Sequence, residues 1–462
     1  MPVVTAVVSN ADGLGSVPIT NGTAKPKTEV KQLPVEYYAD FLSDAAKARR
    51  PGPIRGLLPL EKTPGLISLL AGKPNSAMFP FTSLQFGARD PHSLKEYTLS
   101  LDQNVLDEGL QYAGTAGVPA LIDWLTDLQE IEHHRNRSEG WRVSVTSGSQ
   151  DAIYKAVQAI INSGDSLLVE KPVYAGVIPM FESLRSEMTE VETDDHGIQS
   201  SSLRQILENW PASKPKPKAL YTVPYGCNPT GMTATLERRL EVLELARQHN
   251  FIILEDDPYY YLYYGDKPRV PSYFTLEAQT GTVGHVLRFD SFSKILSSGI
   301  RVGFATGPIP LLNAMDLHTA SANLQAASFS QAIVVTLLKS WGYEGLKKHT
   351  ENVSAFYRAK RDVFQAAFEK HLTGLAEVTP PEAGMFYWFK ILLPEGDSGD
   401  SVELIREKAF QGGVLALPGT VFFPSGAKTP YVRASFSLLD EADVDEALRR
   451  LRVVILEARG GR

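Results

Sequence analysis

Apolar positions along this chain change rhythm in an ordered way. Residues 118–132 place Leu121, Leu125, Leu128 and Ile131 three and four apart, the stripe of an amphipathic helix. Short apolar runs then predict strands at 141–145, 166–169, 219–223, 251–254, in a run ending at Phe289, and at 302–305. Helical patterns fall between several of them, through Ile161 and over 236–249. Apolar strands alternating with helices are the pattern of a mostly parallel sheet covered on both faces. Upstream, residues 36–49 carry helical spacing through Tyr37, Phe41, Ala45 and Ala48, and stop before Pro51 and Pro53. Residues 66–70 are a short apolar segment. Past residue 345 an amphipathic helix over 443–457 and short strands such as 432–437 suggest a smaller α+β domain. The expected division is therefore a disordered tail (1–34), an N-terminal segment helping to complete the small domain (35–90), a large α/β domain (91–345) and the small domain (346–462).

Composition narrows the classes. The 462 residues are 43% hydrophobic, enough for a large core and more than one domain. A net charge of −7 argues against a nucleic-acid partner. One cysteine excludes an intramolecular disulfide framework and fits a reducing compartment. No apolar run reaches the roughly 18 residues that span a bilayer, so no membrane association is expected. Residues 1–31 lack a signal-peptide core and the arginines of a transit peptide, and contain Asp12 and Glu29; the expected location is cytoplasmic. His133 and His134 show no metal spacing and are expected on a polar helix end; no metal site is expected.

In open α/β sheets ligands bind beyond the carboxyl ends of strands. The polar clusters of this chain follow its predicted strands: Ser147 to Gln150, Lys171 to Tyr174, Pro224 to Gly231, Glu255 to Tyr259, and the stretch around Lys294. A lysine at the end of an apolar strand is costly unless its amine is used. A positive neighbour and partial desolvation lower its pKa and make it a nucleophile able to form a Schiff base with an aldehyde. Ser291, Ser293 and Arg301 supply the hydroxyls and the planar cation that a phosphate dianion needs. Together they read as an anchor for pyridoxal 5'-phosphate (PLP). Taken alone, the stretch also reads as a strand followed by a solvated loop, and the cofactor reading is only somewhat ahead.

Taken in order, these motifs resemble the fold-type I PLP-dependent aminotransferases, specifically the aromatic amino acid/α-aminoadipate/kynurenine branch. The resemblance runs from about Tyr38 to Arg459 and implies a mostly parallel sheet flanked by helices, a smaller α+β domain, and a homodimer sharing its active sites. Asn228, before Pro229, Thr230 and Gly231, would sit in a rigid cis-proline bend facing the cofactor's phenolic oxygen. Asp256 would face the pyridine nitrogen, three residues before Tyr259, which bonds the phenolic oxygen; Asp257 is the alternative acid or a turn cap. Ser149 and Gln150, at a helix start, would hold the phosphate with Ser291, Ser293 and Arg301. Tyr174 would lie on the ring face, and Tyr112 would reach the partner's cofactor phosphate. Arg433 would bind the substrate carboxylate bidentately. Gly72 would line the same carboxylate, and Arg55, on a mobile segment that doubles as a substrate lid, the substrate's far end. Two departures bear on substrate: Arg301 follows Lys294 by seven residues rather than eight, which suits the kynurenine/aminoadipate branch, and Tyr225 to Asn228 replaces the more usual Thr-Gly-Gln-Asn.

The leading reading is a transaminase passing an amino group from an aromatic amino acid, kynurenine or 2-aminoadipate to an oxo acid such as 2-oxoglutarate, with Lys294, Asp256 and Tyr259 catalytic. A PLP-dependent C–S lyase or decarboxylase on the same scaffold is the alternative. A third reading, the effector domain of a transcription regulator, would need an upstream DNA-binding domain, and the residues before Tyr38 are too few and too polar for one.

Overall fold

The computed structural model describes residues 30–54, 56–57, 60–61, 63–70, 72–392 and 399–460. Its strands, in chain order, are β1 (Lys31–Gln32), β2 (Gln85–Arg89), β3 (Glu96–Ser100), β4 (Trp141–Thr146), β5 (Ser166–Lys171), β6 (Glu187–Asp194), β7 (Gly197–Ile198) and β8 (Ala219–Thr222). They continue with β9 (Ile252–Asp256), β10 (Thr282–Val283), β11 (Val286–Ser291), β12 (Gly303–Pro308), β13 (Ala376–Val378), β14 (Phe386–Ile391), β15 (Leu417–Pro418) and β16 (Tyr431–Ser435).

Eight strands form the main sheet in the order β4-β12-β11-β9-β8-β5-β6-β7. Pairs from β11 through β6 are parallel, while β12 runs antiparallel to both its neighbours. Strands β5, β8, β9 and β11 are buried almost end to end, as a sheet covered on both faces requires. Register puts Thr146 opposite Gly303, Gly303 opposite Ser291, and Phe289 opposite Asp256. The carboxyl ends of the parallel strands and the amino end of β12 therefore share one edge.

The C-terminal sheet is antiparallel, β13-β14-β16-β15, with its own core built around Phe364, Phe368, Tyr387, Phe389, Val432, Leu448 and Leu451. The helix Glu441–Ala458 closes it, started by Asp440, whose side chain accepts from Asp443 N. Helix Ser328–Leu372 connects the two cores and is broken at Gly342 (φ 64°, ψ −175°), a left-handed position that favours glycine.

Three local expectations change. The helix read over 36–49 is two pieces, a 3₁₀ turn at Val35–Asp40 and a helix at Asp44–Ala48. Ser43 starts a new helix by accepting from Ala46 N, while the Tyr38 hydroxyl is held on Gly284 O. Residues 31–48 also pack on the large domain rather than the small one: Tyr38, Phe41 and Ala46 lie in the main core, and β1 pairs with β10. His133 is buried, bonded through Nδ1 to Ser272 and Thr275 and tilted against Tyr260; only His134 caps the helix end. The expected tail (1–34) lies outside the described residues as far as residue 29.

Candidate active site

The shared strand edge opens into a cavity of about 350 Å³ between the two domains. Ser149, Gln150, Tyr174, Asn228, Asp256, Tyr259, Ser291, Ser293, Lys294, Arg301 and Arg433 all line it. A larger cavity of about 710 Å³ reaches the far side of Lys294 but touches neither Asp256, Asn228 nor Arg433.

Lys294 ends a 3₁₀ turn directly after β11. Burial, with a contribution from the Arg301 charge, lowers its amine pKa. Arg301 takes a left-handed conformation (φ 51°) and points both guanidinium nitrogens at the loops around it. Its Nη1 donates to Ser293 Oγ and Ser298 O, each at 3.1 Å, and its Nη2 to Ser147 O at 2.9 Å. Gly148 is required here: a Cβ would lie 2.3 Å from Arg301 Nη2, and its φ is +92°. Ser149 and Gln150 begin the helix Ser149–Ile160 and line the cavity, so the helix starts at its wall. Gln150 Nε2 donates to Gly176 O at 2.9 Å.

Asp256 is the last residue of β9 and only 3% exposed. Its Oδ2 accepts from the Tyr221 hydroxyl at 2.6 Å, whereas Oδ1 is buried with no partner among the described residues. Burial pushes its pKa up to about 7; Asp290 adds to the rise, and the Tyr221 bond and Arg288 oppose it. Asp257 turns the other way, into a buried cluster where Arg288 Nη1 donates to it at 2.6 Å. Arg288 Nη2 also donates to Asp290 at 2.8 Å, and Nη1 lies 3.5 Å from Glu255. Of the two acids, then, only Asp256 reaches the cavity. Tyr259 lines the cavity edge-on to Phe386 at 6.2 Å, and burial pushes its hydroxyl pKa far up.

Arg433 comes from the small domain, on β16, and Asn228 from the turn after β8. Arg433 Nη1 donates to Asn228 Oδ1 at 2.9 Å. The guanidinium lies between the rings of Phe386 (4.4 Å) and Phe422 (5.2 Å), and its Nε is buried without a partner among the described residues. The Asn228–Pro229 peptide is cis.

This arrangement fits a phosphorylated aldehyde with a basic ring nitrogen. The amine supplies the covalent link, the Ser and Arg groups the anion site, and the unpartnered Asp256 Oδ1 an acceptor for a protonated nitrogen. Among the described residues no cluster fits a metal ion.

Not every expected residue gathers here. Gly72 and Tyr112 are exposed and do not line the cavity, and Arg55 lies outside the described residues. Conversely, Tyr221, Phe386 and Phe422 were not singled out from sequence. Tyr221 reads there as one more apolar residue of a buried strand, and the two rings, Phe386 on β14 and Phe422 at the end of a 3₁₀ turn, lie remote in sequence from Asn228.

The sequence pattern of the family described as "Aminotransferase class I and II" matches residues 94–451. The chain is 40% identical over 440 residues to the protein named aminotransferase tdiD of Emericella nidulans, covering 95% of this chain and 98% of that protein. It is 40% identical over 436 residues to the mitochondrial kynurenine/alpha-aminoadipate aminotransferase of Bos taurus, covering 91% and 99% respectively. The crystal structure of aminotransferase Aro8 from Candida albicans superposes with a TM-score of 0.83 at 25% identity, covering 94% of this chain and all of that one.

Proposed function

The chain belongs to the family of class I and II aminotransferases, a PLP-dependent family, and from that premise we propose that its amino donors are aromatic amino acids, kynurenine and 2-aminoadipate, with 2-oxoglutarate among its acceptors. The bovine relative is named for kynurenine and α-aminoadipate. The family and these relatives are aminotransferases, which sets the lyase and decarboxylase alternative aside. The observation that carries the site assignment is that Lys294, the free Oδ1 of Asp256 and the Arg433–Asn228 pair open on one cavity.

PLP, when bound, supplies an electron sink for the pair left at the substrate's α-carbon. The chain's residues do the rest. Ser149, Gln150, Ser291, Ser293 and Arg301 would hold the phosphate, with Tyr174 on the ring face. Asp256 Oδ1 would hold the proton on the ring nitrogen, and Asn228 and Tyr259 would hold the phenolic oxygen. Arg433 would orient the substrate by its carboxylate, placing the Cα–H bond toward Lys294. The Lys294 amine, whose charged form burial disfavours, would move a proton between that α-carbon and the carbon that carried the aldehyde. Lys294, Asp256 and Tyr259 would form the catalytic set; Gly72 and Arg55 would join the substrate side by the resemblance alone, since the cavity as described includes neither.

The same reading makes the enzyme a homodimer in which Tyr112 reaches the partner's cofactor. Tyr112 is 54% exposed, and the stretch before it leaves Ile67 (91% exposed), Leu69 (99%) and Met78 bare to solvent. Apolar side chains so exposed are a surface that a second copy would cover. Its location is proposed as cytoplasmic, a reducing compartment that fits the single cysteine. No helix among the described residues is long and apolar enough to cross a membrane.

Half-reactions test the substrate class. Mixing the holoenzyme with aromatic amino acids, kynurenine or 2-aminoadipate should bleach the visible band of the lysine-bound cofactor, and 2-oxoglutarate should restore it. A response confined to small aliphatic donors would overturn the assignment. Arg433→Ala should raise KM for the amino donor on the order of 10²-fold, because two charge-assisted hydrogen bonds to the carboxylate are lost. Initial rates against donor concentration check it; an unchanged KM would place the carboxylate elsewhere.

A further inference from the structure

Glu170, the penultimate residue of β5, is 1% exposed and does not line the catalytic cavity. Its carboxyl nevertheless gathers three donors. Thr222 Oγ1 donates to Oε1 at 2.6 Å, Val223 N to Oε2 at 3.2 Å, and the Cys227 thiol to Oε2 at 3.4 Å. Thr222 and Val223 are where the chain leaves β8, and Cys227 is where the turn comes back, one residue before Asn228. One buried side chain therefore ties the two limbs of the turn that presents Asn228.

The rest of the turn leaves it little freedom. Cys227 N donates to Met232 O at 2.9 Å, and Gly231 N donates to Cys227 O at 2.6 Å. Gly226 (φ +50°) packs so closely on the 383–384 backbone that a Cβ would lie 2.5 Å from Ala383 C. These contacts fix the turn's shape and its lateral position. Glu170 adds a side-chain link from both limbs of the turn to the neighbouring strand β5. Cys227 is fully buried, and burial together with the neighbouring Glu170 carboxyl raises its pKa well above the usual thiol range, so it serves as a donor.

We propose that Glu170 is a positioning residue of the transamination site: by bridging Thr222, Val223 and Cys227 it sets where Asn228 stands, and through the Asn228–Arg433 bond where the substrate carboxylate is received. This rests on the roles given above to Asn228 and Arg433. It also gives the Tyr225 to Asn228 departure a physical meaning, since the cysteine there supplies the third donor. Burial pushes the Glu170 pKa up to about 7, and the hydrogen bonds from Thr222, Val223 and Cys227 oppose the rise.

The test uses purified holoenzyme carrying Glu170→Ala, Glu170→Gln, Asn228→Ala and the double variant Glu170→Ala/Asn228→Ala. Readouts are KM for the amino donor, the pH midpoint of the visible cofactor absorbance, and the melting temperature. Glu170→Ala should raise KM on the order of tenfold and move the absorbance midpoint upward, as a displaced amide no longer steadies the phenolic oxygen. Glu170→Gln should restore both, because the amide oxygen can replace one acceptor and the Thr222 hydroxyl can reverse its role. With Asn228 already alanine, Glu170→Ala should add nothing to KM. A lowered melting temperature with unchanged KM and midpoint, or full additivity with Asn228→Ala, would overturn the proposal. If Glu170→Ala does not fold, Cys227→Ala reads the same link: KM should rise about threefold from the loss of one weak hydrogen bond, and no change would overturn it. Asn228→Ala alone separates the layers. An unaltered midpoint there removes the Asn228 assignment and this proposal with it, whereas a normal Asn228→Ala response with a silent Glu170→Ala removes only this proposal.

Discussion

Lys294→Ala should yield a folded protein that binds PLP and does not transaminate, with turnover down by at least about 10³-fold. Removal is cheap for the fold, because Lys294 lies on a short 3₁₀ turn and burial already disfavours its charged form. Its melting temperature should match or slightly exceed that of the parent. Phosphate contacts from Ser291, Ser293 and Arg301 remain, so cofactor retention should be reduced rather than abolished. What disappears is the amine proposed to move a proton at the substrate's α-carbon, the lysine that lines the cavity among the described residues. Steady-state assay with a good donor checks this, and near-normal turnover would remove the mechanism.

Asp256→Ala should be nearly as severe, lowering kcat on the order of 10³-fold, as loss of a preorganised electrostatic partner at a developing charge does. Tyr221 would keep its place but lose its acceptor, and Oδ1 would no longer face the ring nitrogen. Asp256→Asn gives the pH signature. The folded carboxyl is raised from the ordinary carboxylate range to about 7 by burial, so its stabilising contribution is present at acid pH and lost as pH rises toward 7. The cofactor-free parent should therefore lose stability relative to Asp256→Asn between those limits, with the difference flat above about pH 7. Melting curves of both cofactor-free proteins across that range decide it, and a constant difference would mean that Asp256 ionises normally. Bound cofactor should shrink the effect, since a protonated ring nitrogen supplies the missing counter-charge.

Much of this site was legible because a parallel sheet concentrates chemistry at one edge. Once apolar runs at 141–145, 219–223 and 251–254 read as strands, their polar sequels had to meet. Eleven of the residues chosen on motif and resemblance do line one cavity. Asp256 and Asp257 could be separated from sequence only by family spacing, and the distinction is physical: successive residues leaving a strand face opposite ways, one toward the cavity and one toward Arg288. Tyr221, Phe386 and Phe422 were illegible because their function is a contact across strands or domains, which no local pattern records. The same limit explains residues 31–48. Spacing over 36–49 gives a helix, but the docking of Tyr37 on His285 and of Tyr38 on Gly284 comes from nearly 250 residues away. Glu170 reads as an ordinary strand-end acid until Thr222 and Cys227 are seen on its carboxyl.

Everything turns on a single covalent link between Lys294 and the cofactor aldehyde. Borohydride reduction of the holoenzyme, proteolysis and mass spectrometry would locate it. The expected result is one phosphopyridoxyl group per chain, on the peptide containing Lys294. The group on any other lysine, or on none, would contradict it.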